Sequence, residues 1–178
     1  MAKQQLVWIM MLSGILMAAL SRFLPHPPNF TPIAAMALFS GAFLKNKKLS
    51  LIVPIGAMLL SDAILEFYKP GYGFHATTPY VYGSLMLITL LGITLQKNRK
   101  PGNAFGASLL GTLLFFLITN FGTWLSQSLY PHTGTGLLEC YTMGLPFLKY
   151  SFTGDLFFNL VLFGGYYILS KRVQVQNA

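Results

Sequence analysis

Lys45-Asn46-Lys47-Lys48 runs straight into Leu49-Ser50-Leu51-Ile52-Val53-Pro54-Ile55-Gly56-Ala57-Met58-Leu59-Leu60-Ser61-Asp62-Ala63-Ile64-Leu65-Glu66-Phe67. The basic cluster stops where an apolar run begins, and that run is long enough to cross the ~30 Å of hydrocarbon as a helix. Lysines abutting one end mark that end as cytoplasmic. Pro54 is tolerated in such a helix when neighbours satisfy the freed carbonyl, so a kink is expected there. Asp62 and Glu66 lie one turn apart near the far end, where a carboxylate must face a cavity, a partner or the interface.

Working outward, the same pattern recurs along the chain. Apolar runs fall at about 6–24, 32–44, 49–67, 80–95, 104–125 and 150–169, which predicts an all-α fold, a polytopic membrane bundle of six transmembrane helices forming one domain over 1–178. The first run lacks a small-residue cleavage site and reads as a retained helix. The second is short for a crossing and follows Pro25-His26-Pro27-Pro28-Asn29, so it must thin the bilayer, tilt little or enter from a buried loop. Nine of the twelve basic residues (Lys3, Lys45, Lys47, Lys48, Lys97, Arg99, Lys100, Lys171, Arg172) fall on one side of this pattern, and Arg22, Lys69 and Lys149 on the other. By the positive-inside rule both termini are cytoplasmic, in an inner membrane.

Composition agrees. With 54% apolar and 9% charged residues and a mean hydropathy of +0.58, a soluble fold of this length would lack a polar surface. Six spans leave no room for a nucleotide-hydrolysing domain, so energy would come from an ion gradient or a partner chain. The net charge of +8 sits in short inter-span clusters, which suits anionic membrane lipid and argues against a nucleic-acid partner.

Chemistry concentrates at the outer side. The expected outer loops at 25–31, 69–80 and 130–141 hold all three histidines and the only cysteine, among Gly, Pro and aromatic residues that fix turns and offer stacking surfaces. Asp155 and Asn159 repeat the one-turn spacing of Asp62 and Glu66, and Asn120, Thr123 and Trp124 lie at similar depth. The bland alternative is headgroup anchoring by aromatics and interfacial pairing of the carboxylates with Arg22, Lys69 or Lys149. His26, His75 and His132, with Glu139 and Cys140, lack close ligand spacing such as His-x3-His, so hydrogen bonding to an organic ligand is expected and no metal or other cofactor. Gly14 with Ala18, Ala37 with Gly41, and Ala107 with Gly111 are small-residue pairs that permit close helix contact.

The segments Arg22-Phe-Leu-Pro-His-Pro-Pro-Asn-Phe-Thr-Pro-Ile-Ala-Ala, Leu60-Ser-Asp62, Phe115-Phe-Leu-Ile-Thr-Asn120-Phe-Gly-Thr-Trp124 and Tyr130-Pro-His-Thr-Gly-Thr-Gly-Leu resemble a bacterial domain-of-unknown-function family of putative transport proteins. That family is similar, at the level of size and span count, to the S components of energy-coupling-factor transporters. This second resemblance implies an S-component-like bundle that captures a micronutrient from outside. The solute would pass inward by toppling against a transmembrane coupling subunit driven by cytoplasmic ATPases. Gly14, Ala18 and Ala19 would meet that subunit. No motif for a particular vitamin matches.

The expected function is therefore a non-enzymatic membrane solute-binding or transport protein for a small organic molecule. Its site residues are His26, Asn29, His75 and His132 as loop hydrogen-bonders, Trp124 and Tyr130 as stacking walls, and Asn120, Asp62 and Asp155 as polar groups. The alternatives are a membrane-embedded enzyme acting on a lipid or isoprenoid, a reading that gains if a histidine and an acid come within about 3 Å at a lipid-open groove, and an accessory subunit with no ligand of its own.

Overall fold

The computed structural model of the chain describes residues 3–21 and 27–175, apart from the side chains at 19 and 173–175. Among these residues there is no strand. The helices are α1 (Lys3–Ser21), α2 (Ile33–Phe43), α3 (Lys47–Tyr68), α4 (Thr78–Thr94, prolonged by a 3-10 turn at Leu95–Lys97), α5 (Pro101–Ser126), α6 (Gly134–Asn159) and α7 (Gly165–Val175). A π-helical turn, Leu160–Gly164, joins α6 to α7, so the chain forms six rods. Four stretches are long and apolar enough to cross a membrane: Lys47–Tyr68, Thr78–Lys97, Pro101–Ser126 and Gly134–Arg172.

The short second run has a clear place. At 11 residues and 1.5 Å per residue, α2 reaches only about 17 Å, and it is buried along nearly all its length. A helix apolar on every side belongs in the middle of a bundle. Here the other helices shield α2 from any surroundings. Gly41 and Gly92 set the spacing of α2 against α4: a Cβ on Gly41 would meet the Thr89 carbonyl oxygen at 2.2 Å, and one on Gly92 the Leu38 oxygen at 2.2 Å. The backbones touch there because neither residue has a side chain. Gln96 closes the end of α2 by donating its Nε2 to the carbonyls of Gly41 (2.8 Å) and Leu44 (3.0 Å). Asn46 caps α3 by accepting from the Lys48 and Leu49 N–H groups, and Pro101 opens α5 at a position where no N–H is needed.

Polarity is inverted relative to a water-soluble protein. Ser40, Ser50, Asp62, Ser84, Thr89, Thr112, Asp155 and Asn159 are buried, while Leu12, Leu16, Ile52, Leu60, Leu90, Leu113 and Leu117 face outward. An apolar exterior over a partly polar interior is what hydrocarbon surroundings require. Inside, Phe39 and Phe43 pack against Phe163 and Tyr166 with ring centroids 4.2–6.2 Å apart, and Arg99 lies over Phe43 at 4.9 Å.

One boundary differs from the sequence reading. The run expected over 150–169 belongs to a helix that starts at Gly134, which shortens the expected outer loop and makes Glu139, Cys140, Tyr141 and Lys149 helical. Thr133 starts it early: its side chain caps by accepting from the Gly136 N–H at 3.2 Å. From Gly134 to Arg172 the rod has 39 residues, roughly 58 Å, well beyond the hydrocarbon thickness.

Candidate functional site

Two connections, residues 27–32 and 69–77, gather at the acidic end of the bundle, the end that carries Asp62 and Glu66. In the first, Phe30 N–H donates to the Pro27 carbonyl at 3.1 Å and Asn29 has φ +63°. Pro28 followed by a left-handed Asn29 satisfies the demands of a type II turn. Phe30 then anchors on Phe158, ring centroids 5.5 Å apart. In the second connection Glu66 folds the chain back on itself. Its carboxylate accepts from the N–H groups of Gly71 (2.8 Å), Gly73 (3.0 Å) and Phe74 (3.2 Å). Gly71, at φ +84°, supplies the left-handed conformation this turn requires.

These connections roof a cavity of about 310 Å³ between α3 and α4. Asn29 and Thr31 line it from the first connection, Ala57, Ser61 and Asp62 from α3, His75 from the second connection, Thr78 and Tyr82 from α4, and Phe115 from α5. A neighbouring cavity of about 390 Å³ shares Asn29, His75, Val81 and Phe115, and adds Asn120, Thr123, Tyr130 and Cys140. Both volumes fall in the range of small-molecule sites.

Within the first cavity Asp62, 1% exposed, accepts a 2.6 Å hydrogen bond from the Tyr82 hydroxyl. His75 is oriented by threonines. Thr78 Oγ1 accepts from the His75 backbone N–H at 2.9 Å and lies 3.1 Å from His75 Nδ1, with Thr77 Oγ1 at 3.0 Å. Two threonine hydroxyls thus hold the Nδ1 edge of the ring, which fixes the direction of Nε2.

Ser61 supplies the sharpest observation. Most helical hydroxyls here donate to a carbonyl three or four residues back, as Ser13, Ser21, Ser84, Thr89, Thr119 and Ser170 do. Ser61 Oγ is buried and has no hydrogen-bond partner among the described residues. It is 7% exposed and lines the cavity. Together the walls present donors and acceptors on an otherwise apolar surface, suited to hold a small organic molecule in one orientation.

Of the residues expected from sequence, Asn29, Asp62, His75, Asn120 and Tyr130 line these two cavities. Asn120 is fixed on α5 by donating to the Phe116 carbonyl at 2.8 Å, and α6 comes close enough only because residue 144 is glycine, whose Cβ would meet Asn120 Oδ1 at 2.4 Å. His26 lies outside the described residues. Trp124 and His132 line neither cavity: they pack edge to face with centroids 5.4 Å apart, and Trp124 Nε1 donates to the Pro131 carbonyl at 3.0 Å. They brace the start of α6. Asp155 is also elsewhere, in mid-bundle, accepting from Thr112 at 2.7 Å. Gly14, expected on a docking face, points inward, its would-be Cβ 2.8 Å from Met36 Cγ. Ala18 lines the cavity, and the side chain of Ala19 is outside the described residues. Ser61, Tyr82 and Thr78 were not anticipated. Only Ser61 left a trace, as the neighbour of Asp62 in Leu60-Ser61-Asp62.

Neither His75 nor His132 hydrogen-bonds a carboxylate, and among the described residues no three His, Cys, Asp or Glu side chains gather. No curated protein and no solved structure matches the chain. The model of a family of unknown function, DUF6580, matches residues 2–176, and the chain belongs to that family.

Proposed function

We propose that the chain is a membrane solute-binding protein that captures a small organic molecule in the paired cavities at the acidic end. In this reading all six rods lie in the bilayer, α2 sheltered by the others, and both termini are cytoplasmic. The acidic end faces outward, away from the Lys45–Lys48 and Lys97–Lys100 clusters. The observation that carries the reading is Ser61. A buried hydroxyl without a partner costs about 1–3 kcal/mol, and at the wall of a cavity of about 310 Å³ that cost is repaid when a bound solute accepts or donates the missing bond. His75 and Asn29 would close over the same solute from the two connections.

The similarity to S components extends the proposal to import in a bacterial inner membrane, with a transmembrane coupling subunit and cytoplasmic ATPases moving the captured solute. Capture itself needs neither. The test is untargeted mass spectrometry of small molecules released by denaturing the protein after gentle purification, in parallel for the wild type, Ser61→Ala and His75→Ala. A compound retained near stoichiometrically by the wild type and depleted in both variants supports the proposal. A wild type that releases only the bulk lipids and detergent seen with an unrelated membrane protein rejects it.

A further inference from the structure

Asp155 is 6% exposed and lines neither outer cavity; it borders a tight void among α2, α4, α5 and α6. Among the described residues it faces no charge: α2 contributes Ala34 and Leu38 to this void, α4 contributes Ile88, and the polar groups of α5 are Ser108 and Thr112. An ionised carboxylate here would lack a counter-charge in low dielectric.

The hydrogen-bond pattern accommodates a proton on Asp155. Thr112 Oγ1 lies 2.7 Å from Asp155 Oδ2 and 3.0 Å from the Ser108 carbonyl oxygen, both in donor geometry. A threonine hydroxyl carries a single hydrogen, which cannot serve both oxygens at full strength. Both contacts are satisfied when Asp155 is the carboxylic acid: its O–H donates to Thr112 Oγ1, and Thr112 donates to Ser108. Ser108 and Asn159 line the void and also a cavity of about 200 Å³ beside the π-helical turn, and Pro101, at the basic end, lines that cavity too. Asn159 donates to the Asp155 carbonyl and to Ser108 Oγ at 2.8 Å; among the described residues its buried Oδ1 has no partner, nor does the Tyr167 hydroxyl, whose residue lines the same cavity. The π turn begins directly after Asn159, and such turns recur where a helix does more than pack.

We propose that Asp155 is a proton-binding site that exchanges with water at the basic end through the cavity lined by Asn159 and Tyr167, coupling the protein to a proton gradient. On release, the Asp155 O–H bond breaks and the proton passes to water in that cavity. The Thr112 hydrogen swings from the Ser108 carbonyl to the carboxylate left behind. The inference stands independently of what the outer cavities hold.

The test is infrared difference spectroscopy of the purified full-length protein in detergent at neutral pH, in H2O and D2O. The wild type should show the C=O stretch of a protonated carboxylic acid that moves to lower frequency in D2O. Asp155→Asn should lose it and Glu139→Gln should keep it. If Asp155→Asn does not fold, Thr112→Val carries the test, because losing the acceptor for the acid O–H should shift the band to higher frequency. Asn159→Leu should slow the deuterium shift several-fold. Three results would overturn the proposal: no band assignable to Asp155, a band abolished by sodium chloride at fixed pH, which would mark a metal-cation site, or exchange unaffected by Asn159→Leu.

Discussion

Replacing Ser61 with alanine should stabilise the empty protein and weaken solute binding. The Ser61 hydroxyl is buried and lacks a partner among the described residues, and its residue lines a cavity. An unsatisfied hydroxyl costs about 1–3 kcal/mol, and removing a single oxygen at a cavity wall leaves little new void to offset the gain. A net stabilisation of about 1 kcal/mol is expected, which for a chain of 178 residues raises Tm by about 2–4 °C. With solute bound the sign reverses: the variant forgoes one hydrogen bond of about 1 kcal/mol, about a five-fold loss of affinity. Such opposition between stability and binding is typical of a site built ahead of its ligand. The assay is thermal unfolding in detergent, monitored by intrinsic fluorescence on protein stripped of solute. A Tm lowered by 2 °C or more would mean that the hydroxyl is already satisfied in the empty protein, and the argument from Ser61 would fall.

Other perturbations probe the frame around the site. Gly41→Ala sets a methyl 2.2 Å from the Thr89 carbonyl oxygen, so α2 and α4 must separate; a loss of about 2 kcal/mol or more is expected, read as a fall in Tm or as aggregation on size exclusion. Glu66→Gln keeps the shape of the clamp but weakens its charge-assisted bonds to Gly71, Gly73 and Phe74, so hydrogen exchange at those amides should accelerate while the helix cores stay protected. Reporters that fluoresce only in the cytoplasm should light up when fused at the C-terminus or inserted near Lys47 or Arg99, and a dark C-terminal fusion on a full-length product would rule out the proposed orientation.

The all-helical membrane character was legible because it rests on run length and hydropathy, which no tertiary detail alters. The place of α2 was not. Its eleven residues are apolar on all sides, and such a segment reads equally as a short span or a core helix until its neighbours are known. The start of α6 was hidden by Pro131 and the glycines at 134 and 136, which favour a loop, while the Thr133 cap that overrides them is a weak pattern. Of the nine residues expected to bind a ligand, five line the cavities. Trp124 and His132 line neither cavity, because the early start of α6 sets them against each other. Asp155 lines neither cavity; on the longer α6 it faces Thr112 of α5. Ser61 could not be picked out from sequence: helical serines ordinarily bond their own backbone, and the exception here arises only in the packed fold.

The most direct test of an outward cavity uses two neighbours on α3. Leu60 is exposed on the apolar exterior, whereas Ser61 is buried toward the cavity. In a Cys140→Ala background, which removes the only native thiol, Leu60→Cys and Ser61→Cys would be treated in intact cells with a small, charged, membrane-impermeant thiol reagent. The account predicts that Ser61→Cys reacts from outside and Leu60→Cys, facing hydrocarbon, does not. Reaction of Ser61→Cys only after the membrane is broken, or equal reaction at both positions, would contradict it.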